Sequence, residues 1–128
     1  MIEIAQDFKD LRVYKNARSL AIDIFTLTKA FPTEEKYSLV DQIRRSSRSI
    51  CANLAEAWRK RRYRAAFVSK LSDAEAEACE TQVWIDFSVC CGYLDSTKAV
   101  ILDDQCRHIL AQISIMIKNA DSWTRPDP

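Results

Sequence analysis

Apolar residues recur along this chain with the period of a helix rather than of a strand. In a first segment, about residues 11–31, the core positions repeat at sevens: Val13, Leu20 and Leu27; Tyr14, Ala21 and Thr28; Ala17, Ile24 and Phe31. So broad a stripe suits a helix lodged between two neighbours. Asp10 is its expected cap, and Pro32 and Thr33 end it. A second segment, about 34–58, carries Glu34 and Glu35 in a first turn that favours negative charge. A third, about 63–91, has a core stripe of Phe67, Leu71, Ala74, Ala78, Ile85 and Val89, with Gly92 as its stop. The fourth, about 97–120 with Ser96 as expected cap, buries Leu102, Cys106, Ile109, Ile113, Met116, Ile117 and Ala120. An irregular tail, 121–128, follows. Between the second and third segments lies RKRRYR, which reads equally as a short loop or a bent continuation.

The second segment separates into three lengthwise stripes where an ordinary amphipathic helix has two. Val40, Ile43, Ile50 and Leu54 share one face, with small Ser47 among them. Gln42, Ser49, Asn53 and Glu56 form a polar stripe beside it. Arg44, Arg45, Arg48 and Arg59 lie on the far side, with Ala52 and Ala55 between them. The polar stripe is expected to satisfy hydrogen bonds between helices or subunits, with Glu56 paired locally to Arg45 or Arg59.

The third segment breaks the two-faced pattern. Val83, Trp84, Phe87 and Cys91 point away from its core stripe, so its last two turns are apolar nearly all round. Apolar residues on a face that should be wet suggest a subunit interface. The competing expectation is that residues 2–8, or the tail with Trp123, fold over them.

Composition narrows the fold class. A chain of 128 residues with one glycine and three prolines lacks the turn residues that a β-rich fold requires. Similar segment lengths and short connections predict one all-α domain, an up-down-up-down antiparallel four-helix bundle. No apolar run approaches a membrane span and no secretory signal opens the chain, so a cytoplasmic protein is expected. The five cysteines, at 51, 79, 90, 91 and 106, show no CxxC spacing and read as small buried thiols. No metal or cofactor is expected. The single histidine, His108, reads as a hydrogen-bonded structural residue, and no catalytic set appears, so no enzymatic activity is expected.

Net charge is only +1, yet its distribution is lopsided. Arg44, Arg45, Arg48, Arg59, Lys60, Arg61, Arg62 and Arg64 face only Glu56 within their stretch; from Ser72 to Asp104, eight acids face only Lys98. Such a basic cluster binds phosphates without reading sequence, and Tyr63 offers a ring for base stacking. Its rivals are pairing with acidic surfaces of subunits or of a protein partner, and a plain solvated face.

Several of these residues carry a resemblance. Phe8, Leu11, Val13, Tyr14 and Lys15, then Phe31, Pro32, Glu35, Tyr37 and Leu39, then Gln42, Ile43, Arg44, Arg45, Ser49, Ile50, Asn53, Ala55 and Glu56 resemble the four-helix-bundle proteins encoded in intervening sequences of bacterial 23S ribosomal RNA genes. The GYL turn at Gly92, Tyr93 and Leu94 fits as well. Two features depart: Ala57 stands where the family usually has glycine, and RKRR is denser in charge. The resemblance implies a bundle that assembles as a ring-like homopentamer. It also implies kinship in fold with the accessory proteins of diversity-generating retroelements, which bind nucleic acid and a reverse transcriptase. Together these readings lead to a non-catalytic homo-oligomeric scaffold that binds RNA or DNA through the basic segment. The alternative is a protein-interaction module.

Overall fold

The computed structural model describes residues 4–124, which form four long antiparallel helices and contain no strand. These are α1 (Arg12–Thr28), α2 (Leu39–Arg59), α3 (Arg64–Cys90) and α4 (Ser96–Lys118), followed by one further turn, α5 (Ala120–Trp123). Each long helix packs on the next, and α4 closes against α1, giving the up-down-up-down four-helix bundle. Residues 125–128 of the expected tail lie outside the described residues; 120–123 are helical instead, and Trp123 is buried because its ring completes the core.

Local chemistry sets the helix ends. Asp10 does not cap α1. It closes a capping box with Asp7 around the 3₁₀ turn Phe8–Asp10, accepting from the Gln6 and Asp7 amides at 3.0 and 3.2 Å. The helix then starts at Arg12, and buried Leu11 stands at its N-cap without a side-chain hydrogen bond. At its far end α1 stops at Thr28, and the chain continues through tighter turns in which the Lys29, Ala30 and Phe31 amides donate to the Thr26, Leu27 and Thr28 carbonyls before Pro32. Asp95, rather than Ser96, caps α4 by accepting from the Lys98 amide at 2.8 Å. Gly92, at φ 79°, turns the chain out of α3.

α2 begins at Leu39, later than the pattern predicts, and Glu35 is the reason. Its carboxylate accepts from the Ser38 hydroxyl, the Leu39 amide and the Tyr93 hydroxyl, the last at 2.9 Å. One acid thus starts α2 and ties the α1–α2 connection to the α3–α4 turn. Phe31 packs beside Tyr93 with ring centroids 5.5 Å apart.

The core follows the predicted stripes with one shift. On α3 the buried series runs Ala74, Ala78, Thr81, Ile85 and Ser88, while Val89 turns outward at 36% exposure. Hydropathy favoured the valine; both residues lie one turn beyond Ile85, and Ser88 is the one buried, its hydroxyl donating to the Trp84 carbonyl at 2.7 Å. α2 and α3 form the most extensive helix pair. Ser46 and Thr81 meet there at 2.9 Å, both essentially without solvent exposure. Either hydroxyl can donate across the seam, since Ser46 also has the Ile43 carbonyl at 3.3 Å and Thr81 the Glu77 carbonyl at 2.9 Å as acceptors.

Two outcomes follow. Replacing Ser46→Leu overfills the seam and lowers stability by about 1–3 kcal/mol in urea unfolding, whereas Ser46→Ala costs less. The Glu35 latch makes stability depend on pH at both extremes. Hydrogen bonds from Ser38 and Tyr93 hold the Glu35 carboxyl below its ordinary 4.5, so its contribution is present above that value and is lost as pH falls below it. The same bond pushes the Tyr93 phenol up to about 12 from 10.0, so its contribution fades as pH rises through that interval. In Tyr93→Phe, thermal denaturation followed across pH should show both slopes reduced.

Candidate nucleic-acid interface and the exposed faces

The eight basic residues do not form one patch. Arg44, Arg45 and Arg48 sit in the first half of α2, while residues 59–62 surround its far end, about 16 to 24 Å away at 1.5 Å per residue. Between them the helix exposes Ala52 and Glu56. The spacing that puts all of them on one helical wheel conceals this separation along the axis.

The first group is largely engaged within the bundle. The Arg44 Nε donates to the Thr28 hydroxyl at 2.9 Å, and its guanidinium lies 4.7 Å from the centre of the Phe25 ring. Arg48 approaches the same ring at 5.7 Å. Arg45 forms an exposed pair with Asp41 at 3.7 Å. These arginines join α2 to α1 or to their own helix, and a single aromatic on α1 organises two of them.

The second group is organised by the α2–α3 connection. RKRRYR forms a tight turn: the Lys60 amide donates back to Glu56 and Ala57, and the Tyr63 amide donates to the Lys60 carbonyl at 3.0 Å. Arg61 folds back over Trp58, its guanidinium 3.4 Å from the ring centre and its Nε donating to the Trp58 carbonyl at 2.9 Å. It therefore braces the end of α2. Arg59, Lys60, Arg62 and Tyr63 are exposed, Tyr63 at 60%. Arg64 pairs with Asp121 of α5 at 2.6 Å. No acidic residue occurs between Glu56 and Asp73.

The polar stripe lines the groove between α2 and α3. Gln42, Arg45, Arg48 and Ser49 border one side, and Glu77 and Glu80 the other. Asn53 donates to the Ser49 carbonyl at 3.0 Å and reaches its hydroxyl at 3.3 Å. Burial pushes the Glu77 carboxyl up, the Glu80 charge adds to this, and a hydrogen bond with Ser49 opposes it. Glu56 pairs with Lys70 across the seam at 2.9 Å, not with Arg45 or Arg59, because the closing of α3 onto α2 brings Lys70 nearer.

On α3, Val83 and Phe87 are 44% and 51% exposed. Trp84 is half-buried, donates to Glu80 at 3.2 Å and packs on Phe87 at 5.9 Å. Cys91 is exposed just past the helix end. Neither described terminal segment covers this face. The Phe8–Asp10 turn packs on α1 and α2, and α5 lies by Arg64 at the opposite end of α3.

Sequence reasoning missed other open apolar residues: Val100, Ile101 and Ile115 on α4, and a face on α1. Ile22 and Phe25 are 46% and 36% exposed and border a groove with Tyr14, Arg18, Arg48 and Cys51. The signal was their spacing of three, off the core stripe and beside the basic stripe of α2.

Two other expectations change. His108 is exposed on α4, because the core turns through Cys106 and Ile109 and leaves it outside. Of the cysteines only Cys106 is buried; Cys51 is half-buried and the others are exposed. Burial holds the thiols of Cys106 and Cys51 up at about 12 and about 11. Among the described residues, no three His, Cys, Asp or Glu side chains converge to hold a metal, and no helix is long and apolar enough to cross a membrane.

The two basic groups should therefore respond differently to mutation. Arg44→Ala loses a charged hydrogen bond and a ring contact, lowering stability by about 1–2 kcal/mol. Arg59→Ala should stay within about 0.5 kcal/mol of the unaltered protein in the same urea titration.

Comparison with known proteins places the chain. Residues 9–115 match the profile of a family described as 23S rRNA-intervening sequence protein. Among solved structures, a protein of unknown function from the S23 ribosomal protein family of Bacteroides thetaiotaomicron is similar, with a TM-score of 0.75 and 30% identity over 83% of this chain and 95% of that one. No curated protein matches.

Proposed function

The chain belongs to the 23S rRNA-intervening sequence protein family, and we propose that it is a non-catalytic, homo-oligomeric helical scaffold that holds RNA or DNA on its α2–α3 turn. The observation that carries this reading is the turn itself. Arg59, Lys60 and Arg62 are exposed on a rigid corner with Tyr63, and no acid occurs within the segment. The negative end of the α2 dipole favours a cation or two there, but it does not require a run of four. A phosphate backbone supplies closely spaced anions that suit such a cluster of positive charge.

The turn binds by charge and offers little that reads bases. Arg61 holds the corner in shape through Trp58, and Arg64 is partly offset by Asp121. Arg44, Arg45 and Arg48 contribute at most distant, weaker attraction to the same strand. The copies join through the apolar face of α3, where Val83 and Phe87 stand open to solvent.

Fluorescence anisotropy with labelled single-stranded RNA and DNA tests the binding site. Three phosphate contacts predict a log–log salt slope of about −2, so affinity falls roughly 20-fold from about 50 to 200 mM salt. The triple variant Arg59→Glu, Lys60→Glu, Arg62→Glu should abolish binding while far-UV circular dichroism stays unchanged. Salt-independent binding, or full affinity in the triple variant, would refute the site. Absence of binding by the unaltered protein to either nucleic acid would favour the protein-interaction alternative.

A further inference from the structure

Among the described residues, the aromatic rings most open to solvent are those of Phe25, Tyr37, Tyr63 and Phe87, at 36%, 86%, 60% and 51%. Three of these have a neighbour in place. Lys29 and Arg44 both lie 4.7 Å from the centre of the Phe25 ring, and Phe87 packs on Trp84 at 5.9 Å. Tyr37 carries Lys36 over its ring at 5.4 Å, and it precedes the opposite end of α2, close in sequence to Glu34 and Glu35. Tyr63 has a different setting. It stands between Arg62 and Arg64, and no acid occurs from Ala57 to Ser72; Asp121 reaches Arg64 from α5. Trp58, the other ring of this corner, is half-buried under the Arg61 guanidinium at 3.4 Å.

Backbone bonds, not the side chain, fix where Tyr63 stands. Its amide donates to the Lys60 carbonyl at 3.0 Å, and its carbonyl accepts from the Phe67 amide at 2.9 Å as α3 opens. A ring held in this way among cations suits an unpaired base, whose π face meets the ring while its phosphates meet the charges. A duplex offers no such face along its length, because its bases are already stacked on one another. Charge by itself points the other way. A duplex is more densely charged and gains more from each phosphate contact than a single strand does. The ring and the cationic cluster therefore favour different forms of nucleic acid.

We propose that the α2–α3 corner selects single-stranded over duplex nucleic acid, stacking an unpaired base on Tyr63 while Arg59, Lys60 and Arg62 hold the flanking phosphates. This rests on the nucleic-acid reading above and names the form of ligand selected at that site. Stacking tolerates every base, so the selection is for strand form and not for sequence.

Anisotropy with three labelled probes tests this: a single strand, the same strand made abasic throughout, and a blunt duplex of equal length. The unaltered chain should bind the intact single strand most tightly. Tyr63→Ala should weaken that binding by roughly 5- to 150-fold and leave the abasic strand and the duplex unaffected. Tyr63→Phe keeps the ring and should bind as the unaltered chain does. Neither variant should change the salt slope, since the ring carries no charge. Both should fold, because an exposed side chain is replaced and the two backbone bonds remain; circular dichroism verifies it. If the duplex or the abasic strand binds as tightly as the intact strand, the proposal is wrong while the charge site stands. It is equally wrong if Tyr63→Ala weakens all three probes alike, as a merely structural tyrosine would, or weakens none. Failure of the unaltered chain to bind any probe would remove the nucleic-acid reading and this selection together.

Discussion

The close approach of α2 to α3 is the constraint on which the rest of the molecule depends. Ser46, Ser47, Ala74, Ala78 and Thr81 are all buried, and Ser46 and Thr81 meet across that seam. Small side chains let two backbones come near, and the Ser46–Thr81 hydroxyl pair leaves no polar group there without a partner. With the pair drawn together, the connection between them has only a tight turn in which to reverse. That turn is where the chain has placed its densest positive charge. The same closure brings Lys70 to Glu56 and sets Glu77 and Glu80 across from the polar stripe of α2.

Crowding cations on a corner demands local support, and the structure shows which residues supply it. Arg61 stacks on Trp58 and caps its carbonyl, converting one of the crowded charges into a brace. Asp121, carried by the short α5, offsets Arg64. Buried Trp123 anchors that helix, so the end of the described chain contributes to the electrostatics of the turn as well as to the core. At the other end of the bundle Glu35 does comparable work by binding two connections with one carboxylate.

The arginines of α2 show how one residue type serves unlike ends. Arg44 is committed to Thr28 and Phe25, which makes it part of the α1–α2 contact. Arg48 shares the same ring but borders an open apolar groove. Arg59, at the far end, faces solvent. Their chemistry is identical and their settings are not, so the role of each follows from what α1, α3 and solvent place beside it.

The sequence by itself determined the all-helical class, the four segments and nearly all of the core. Those features rest on spacing within one helix, which is local and survives in the linear pattern: Val13, Ala17, Leu20 and Ile24 read as a buried stripe without knowledge of any partner. The motif of α2 also carried the family resemblance. Tertiary structure decided the rest, because it turns on distances between helices. The separation of the basic residues into two groups, Lys70 as the partner of Glu56, the exposure of His108, and Ser88 rather than Val89 in the core all depend on which neighbour lies opposite. So does the groove at Ile22 and Phe25, which Arg48 and Cys51 border once α2 has taken its place beside α1. A periodic pattern states which side of a helix is inside; it does not state what the other sides will meet.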